Sequence, residues 1–484
     1  MDPEPSTPRG FARLARDSVL FATGSVVGKV VGLVLLPVLT RLLSPEAFGQ
    51  VDVLTTLQSA LASLLLLGFD LAATRLFADL GARDQRRMFA SWLFGVALTG
   101  VVAATGLWLF GPSLSEALFS TNSLAIAVGL AGVAATANAI QLVCLTALRN
   151  NNRPAVFAAV SSGTLVSYGL TIVVVVPRRP TVTAVLLAVA ISMTFGAVCG
   201  LVASSSLIKG RLSKKLGWRL GVLGLPLVPA VAAQWISEFA NRAILLSRSG
   251  PDEVAYFSVA TRFSSIALLV VLGFQLAWQP AAFSLGQGRR AMQRVANDGR
   301  RIMVGVAASV AVVAVFSPEL IVLAGGQRYV PALPAVGLSL VFALAYAAYH
   351  TATLPSAISR RMRDLGLAAI MAGAVGVGLN LWFAGPWGAT GTAAAIAIGQ
   401  ATGAGVGFAL ARARAQVPYP WGRILLVGGA AGLIACASTF PEGGASVFWR
   451  IAMALGFIVV VGLEGSLGEA VGAARHMIAA RRSI

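Results

Sequence analysis

The sequence has 484 residues, of which 57% are hydrophobic and only 11% charged, with 37 Lys and Arg against 18 Asp and Glu. A soluble domain carries roughly 25% charged residues, and a chain of this length in water divides into several domains joined by polar linkers, so a soluble protein is excluded. The net charge of +19 points to nucleic acid, anionic lipid or membrane topology.

Residues 1–17 are polar, with Pro3, Pro5 and Pro8, and read as a cytoplasmic N-terminal segment. From Ser18 to Ser466 apolar runs of about 20 residues recur, the length a helix needs to cross hydrocarbon. They lack the period-two alternation of a membrane barrel, so the fold class is an all-α polytopic membrane protein. Cutting at charged and turn residues predicts about 14 spans: 18–40, 49–72, 88–110, 123–147, 155–176, 182–204, 222–246, 254–278, 302–324, 331–356, 365–385, 389–411, 424–440 and 447–466. The first run is too long for a signal-peptide core and reads as a retained span.

The basic residues alternate between sides. Of the 37, 27 fall on every second loop, from Arg9, Arg13 and Arg16 through Lys209, Arg211, Lys214, Lys215 and Arg219 to Arg475, Arg481 and Arg482. The opposite loops hold six: Arg41, Arg178, Arg179, Arg248, Arg328 and Arg450. The positive-inside rule places both termini in the cytoplasm, in agreement with an even span count. Most of the positive charge is therefore topological. Nucleic-acid binding drops out, because the basic residues are scattered over eight short segments without interleaved aromatics.

A short repeat links the halves. Ser44-Pro45-Glu46-Ala47-Phe48-Gly49 joins spans 1 and 2, and Gly250-Pro251-Asp252-Glu253-Val254-Ala255 joins spans 7 and 8. Each places a Pro and an acid where a new helix opens, which suits its first turn. Copies six spans apart have the same orientation, as in transporters built of parallel repeats with a substrate cavity between the halves. The expected organisation is an N-lobe over 18–206, a cytoplasmic linker over 207–221, a C-lobe over 222–411, two further helices over 412–466 and a cytoplasmic tail over 467–484.

The Gly-rich first span from Gly24 to Gly32, then Leu36-Pro37, Thr40-Arg41-Leu42-Leu43-Ser44-Pro45-Glu46-Ala47-Phe48-Gly49 and Arg75, resemble the polysaccharide translocases (Wzx-like flippases) of the multidrug, oligosaccharidyl-lipid and polysaccharide (MOP) exporter superfamily. Leu225-Pro226, Trp235-Ile236, Asn241-Arg242, Ala255-Tyr256-Phe257 and Trp278-Gln279-Pro280 repeat the resemblance in the second half. It implies a V-shaped, two-lobed bundle like that of the multidrug (MATE) exporters, acting as a flippase in the bacterial inner membrane. The implied substrate is a lipid-linked oligosaccharide or polysaccharide repeat unit of the undecaprenyl-pyrophosphate type, moved by alternating access. Membrane lipids and polysaccharide polymerases or glycosyltransferases are the implied partners. Asn241 stands where members of the family often carry an acid.

Four basic residues fall within or beside spans: Lys29, Arg75, Arg242 and Arg262. A central one costs roughly 2.5 to 3.5 kcal/mol on insertion scales. Lys29, about 12 residues from Arg41, lies about 18 Å down its helix and near mid-bilayer. Arg242 follows Glu238 by one turn, which suits a local pair, and Arg75, with Asp70 and Asp79 nearby, lies within snorkelling reach of the interface. A lipid pyrophosphate is anionic, so Lys29, Arg75 and Arg262, with Arg242, are the candidate substrate-binding cations. Asp52, Asp70 and Glu238 are candidate ion or proton sites for coupling, and proton, sodium and membrane potential all remain open as energy sources. Gln58, Gln141 and Asn380 are among the polar residues available for interhelical hydrogen bonds or sugar contacts.

Enzyme chemistry has little to work with. Cys144, Cys199 and Cys436 lie in apolar runs without metal-ligand spacing, and the two histidines are His350 and His476. Gly24 is one residue too close to Lys29 for a phosphate loop, and Val30 replaces the required hydroxyl. The glycines of 373–378 and 399–407 lie in apolar spans without strands, as helix packing requires. No cofactor and no metal are implied. A cation-coupled multidrug or small-molecule antiporter of the same superfamily is the alternative reading. A membrane glycosyltransferase is a third, lacking a visible acid or base cluster.

Overall fold

The computed structural model describes residue 28 and residues 31–66, 68–77, 79–225, 228–284, 288–359, 361–440 and 446–464. There are no strands among these residues, and the chain forms two compact units, Met1–Ala255 and Tyr256–Ile484.

The first unit starts with α1 (Val31–Leu42) and α2 (Pro45–Leu65). The Ser44 hydroxyl accepts a hydrogen bond from the Ala47 amide at 3.2 Å, Pro45 occupies the first turn and Glu46 follows it. A side-chain cap, a residue with no amide to satisfy and an acid at the positive end of the dipole together fix where α2 begins. There follow α3 (Phe69–Phe77), α4 (Ala82–Leu109), α5 (Gly111–Phe119), α6 (Ala125–Asn150), α7 (Pro154–Val175), α8 (Val182–Ala203), α9 (Ser205–Ile208), α10 (Lys214–Gly224) and α11 (Val228–Ser249). The most enclosed is α6, which packs against α2, α4, α7 and α8. Its Gln141 donates to the Thr164 hydroxyl of α7 at 2.7 Å, the interhelical role expected of a buried amide.

The second unit holds most of α12 (Pro251–Ser284), then α13 (Arg289–Gly325), α14 (Leu333–Ile358), α15 (Met362–Ala415), α16 (Trp421–Thr439) and α17 (Val447–Glu464). Gly388 folds α15 into two arms with φ 49° and ψ −131°, a conformation that L side chains rarely adopt. Asp364 in the first turn of one arm is ion-paired with Arg414 in the last turn of the other, which closes the foot of this hairpin. Beyond it the buried Tyr419 hydroxyl donates to the Thr351 carbonyl of α14 at 3.0 Å. Burial pushes this phenol's pKa up, so it keeps the proton that makes the bond.

Ten helices among the described residues are long and apolar enough to cross a membrane, so the expected count of about fourteen is not reproduced. The two spans at 365–385 and 389–411 belong to one folded helix, α15. The described part of span 1 and span 14 are shorter apolar helices, Val31–Leu42 and Val447–Gly462. Span 222–246 covers the end of α10 at Gly224 and α11 from Val228, with residues 226 and 227 outside the described residues. Residues 289–301, expected as a loop, are the first turns of α13, where Asp298 and Arg301 pair at 3.5 Å.

Candidate functional site

Lys29 lies outside the described residues. Arg75 is exposed in the last turn of α3, with Asp70 in the first turn of the same short helix, an arrangement that suits the helix dipole at both ends. Arg262 lies in α12 within the second unit, partly buried, and its carbonyl accepts the Ser265 hydroxyl at 2.7 Å.

The other three residues come together. Arg242 Nε donates to Asp52 Oδ2 at 2.7 Å, and its Nη1 lies 3.7 Å from Glu238 Oε1 and 3.3 Å from the Glu238 carbonyl. The Arg242 and Asp52 side chains are each 11% exposed and Glu238 45%. Asp52 sits two turns into α2 and Arg242 two turns from the end of α11, each about 10 Å along its helix from the neighbouring link. The helices pack directly on one another, so the pair ties α2 to α11 within the first unit. The local partner Glu238 was legible at i, i+4. The shorter bond to Asp52, 190 residues away, was not.

The two repeat links also meet. A Cβ built on Gly49 would fall 1.8 Å from the Pro251 carbonyl oxygen and 3.2 Å from the Ala255 amide nitrogen. Gly49 and Ala255 are each the fourth residue after the repeat's proline, and only the first must lack a side chain. Gly49→Ala is expected to force α2 off the start of α12, lowering the melting temperature in detergent. A variant that melts like the wild type would show that this approach is not needed.

An apolar groove of about 490 Å³ runs between α2 and α11, lined by Leu57, Leu61, Leu64, Trp235, Phe239 and Ile244 among others. His350 of α14 stacks edge-on to Tyr346 and Tyr349, with ring centroids 4.4 and 5.4 Å away, and its buried Nε2 makes no hydrogen bond. Its spacing from Tyr346, one helical turn, was the available signal.

The sequence profile of the family described as polysaccharide biosynthesis protein matches residues 14–285, more than half of the chain. The chain belongs to this family. The matched stretch contains Asp52, Arg75, Glu238, Arg242 and Arg262. Among curated proteins no sequence matches. Among solved structures, the lipid II flippase MurJ in an inward closed conformation aligns over 93% of this chain and 98% of its own, with a TM-score of 0.72 and 14% identity. A MOP superfamily transporter from Pyrococcus furiosus aligns over 84% and 95%, with a TM-score of 0.58 and 18% identity. An inward-facing multidrug MATE transporter aligns over 82% and 94%, with a TM-score of 0.61 and 17% identity. At such identities the shared property is the fold. This member of the polysaccharide biosynthesis family is thus a multi-pass membrane protein with the MOP transporter fold, and its structural neighbours are transporters and flippases rather than enzymes.

Proposed function

We propose that the protein is a flippase that moves undecaprenyl-pyrophosphate-linked oligosaccharide or polysaccharide repeat units across the bacterial inner membrane by alternating access, with both termini cytoplasmic. The observation that carries this reading is the coincidence of family and frame: a polysaccharide biosynthesis sequence on the fold of a lipid II flippase, along 93% of the chain. In this reading the repeats over 18–206 and 222–411 rock against each other. Lys29, Arg75 and Arg262 supply the positive charge for a pyrophosphate head. Arg242, engaged by Asp52 and Glu238, also holds α2 against α11, and Asp52 and Glu238 are candidate coupling acids whose charge this arginine balances. Asp70 keeps a coupling role only as an expectation from sequence. Polymerases and glycosyltransferases of polysaccharide assembly are the expected partners.

Alanine substitution at Lys29, Arg75 and Arg262, one at a time, tests the reading in a polysaccharide-export complementation assay. Each is expected to reduce polymer export by about tenfold, the cost of one lost charge-assisted contact of 1.5 kcal/mol or so. Full export by all three variants at wild-type protein levels would remove the cation hypothesis. The MATE fold neighbours support a second reading as a cation-coupled multidrug antiporter. Drug efflux without an effect on polymer export would favour it.

A further inference from the structure

The segment between the repeats contains a helix with two apolar faces. On one side of α10, Leu216, Leu220 and Gly224 are buried, and the two leucines join a core with Met88, Phe89 and Trp92. On the reverse side Trp218 is 75% exposed, and Val222 and Leu225 are each 55% exposed. These three stand at i, i+4 and i+7, a continuous stripe. Together with Lys214 they line a groove of about 480 Å³. Lys214 opens the stripe, Lys215 and Arg219 flank it one turn apart, and all three are exposed. No acidic side chain pairs with them among the described residues.

Such a face is poorly served by either bulk phase. In water it leaves an indole and two aliphatic side chains uncovered, and in hydrocarbon it leaves three cations unsolvated. The headgroup boundary of a bilayer satisfies both demands, with the tryptophan at the level where indoles partition. A zwitterionic lipid would cover the apolar stripe but leave the charges unmatched, whereas an anionic one meets both. We propose that this face of α10 is a binding site for an anionic glycerophospholipid, its acyl chain along Trp218, Val222 and Leu225 and its phosphate held by Lys214, Lys215 and Arg219. The site stands on its own and does not depend on what the protein transports.

The test uses the full-length protein in detergent, titrated with phosphatidylglycerol or phosphatidylcholine and read by native mass spectrometry. A Lys214→Gln, Lys215→Gln, Arg219→Gln triple variant is compared with a control triple, Arg289→Gln, Arg290→Gln, Arg294→Gln, which removes the same charge from exposed positions at the start of α13. The α10 triple is expected to retain phosphatidylglycerol about tenfold less well or worse, and the control to match the wild type. Quenching by brominated lipid gives a second measurement on folded protein. Brominated phosphatidylglycerol should quench more tryptophan emission than brominated phosphatidylcholine, and the difference should vanish in Trp218→Phe. Equal loss of phosphatidylglycerol in both triples, no loss in the α10 triple, or a lipid difference that survives Trp218→Phe would each overturn the proposal.

Discussion

Arg242→Ala is expected to lower the melting temperature of the protein by several degrees. The guanidinium holds Asp52 at 2.7 Å and lies 3.7 Å from Glu238, with Arg242 and Asp52 both 11% exposed. Removing it leaves two carboxylates on apolar helices with one fewer cation to offset them. Breaking a buried pair from one side costs about 3 to 5 kcal/mol, because the remaining charge must be desolvated alone or take up a proton. Asp52→Asn should cost less, since Glu238 still balances Arg242 and the amide oxygen can still accept from Nε. The exchange of charges in an Asp52→Arg, Arg242→Asp double variant should recover only part of the loss. It restores the bond between α2 and α11 but sets an acid at position 242 one turn from Glu238, a like-charge repulsion. Thermal melting of the purified variants orders the series as wild type, Asp52→Asn, double exchange and Arg242→Ala. Equal melting of wild type and Arg242→Ala would show that the pair does not hold these helices together.

What could be read in the sequence were the features that repeat within a few residues. Pro45-Glu46 marked the opening of α2 because amide loss and dipole both act within one turn, whereas the Ser44 cap appears only in the structure. The glycines of 373–378 and 399–407 were read as packing surfaces, and a Cβ on Gly399 would indeed lie 2.6 Å from the Gly376 Cα in the opposite arm of α15. The break between spans 11 and 12 was placed at 386–388, and the chain reverses there at Gly388, a residue free of side-chain restraint. Hidden from the sequence was everything set by contact at a distance. Helical periodicity assigns Arg242 a face but not the helix that meets it, so Glu238 was visible as its partner and Asp52 was not. The same limit hid α10, whose stretch of basic residues and turns read as a loop. Its buried leucines find their partners on α3 and α4, more than 100 residues earlier in the chain.

The second large effect is expected at Arg450, which the sequence accounts for only as one of six basic residues on the sparsely charged side. In the fold its side chain is 6% exposed, and it ties α17 to α13. Both of its terminal nitrogens bind the Glu319 carboxylate, one contact being 2.6 Å, and Nη1 also donates to the Val315 carbonyl at 2.5 Å. The attachment point lies where Pro318 interrupts α13: the Ala314 carbonyl, which has no proline amide to bond, accepts the Ser317 hydroxyl at 2.8 Å. A helix loosened at that turn can turn the next carbonyl toward an outside donor. Arg450→Ala removes three bonds and leaves Glu319 without its cation. Because Glu319 is 53% exposed and can be partly solvated, the cost is about 2 to 3 kcal/mol rather than the full value for a buried pair. Hydrogen exchange should show it as faster exchange throughout α17 with α6 unchanged, and unchanged α17 protection would refute the tether. Arg450→Lys keeps the charge but not the forked geometry, so it should fall between. An Arg450→Leu, Glu319→Leu double variant should regain most of the protection. If it does, the bond's contribution is to keep a charge compensated at this depth, since apolar packing alone then suffices to dock the helix.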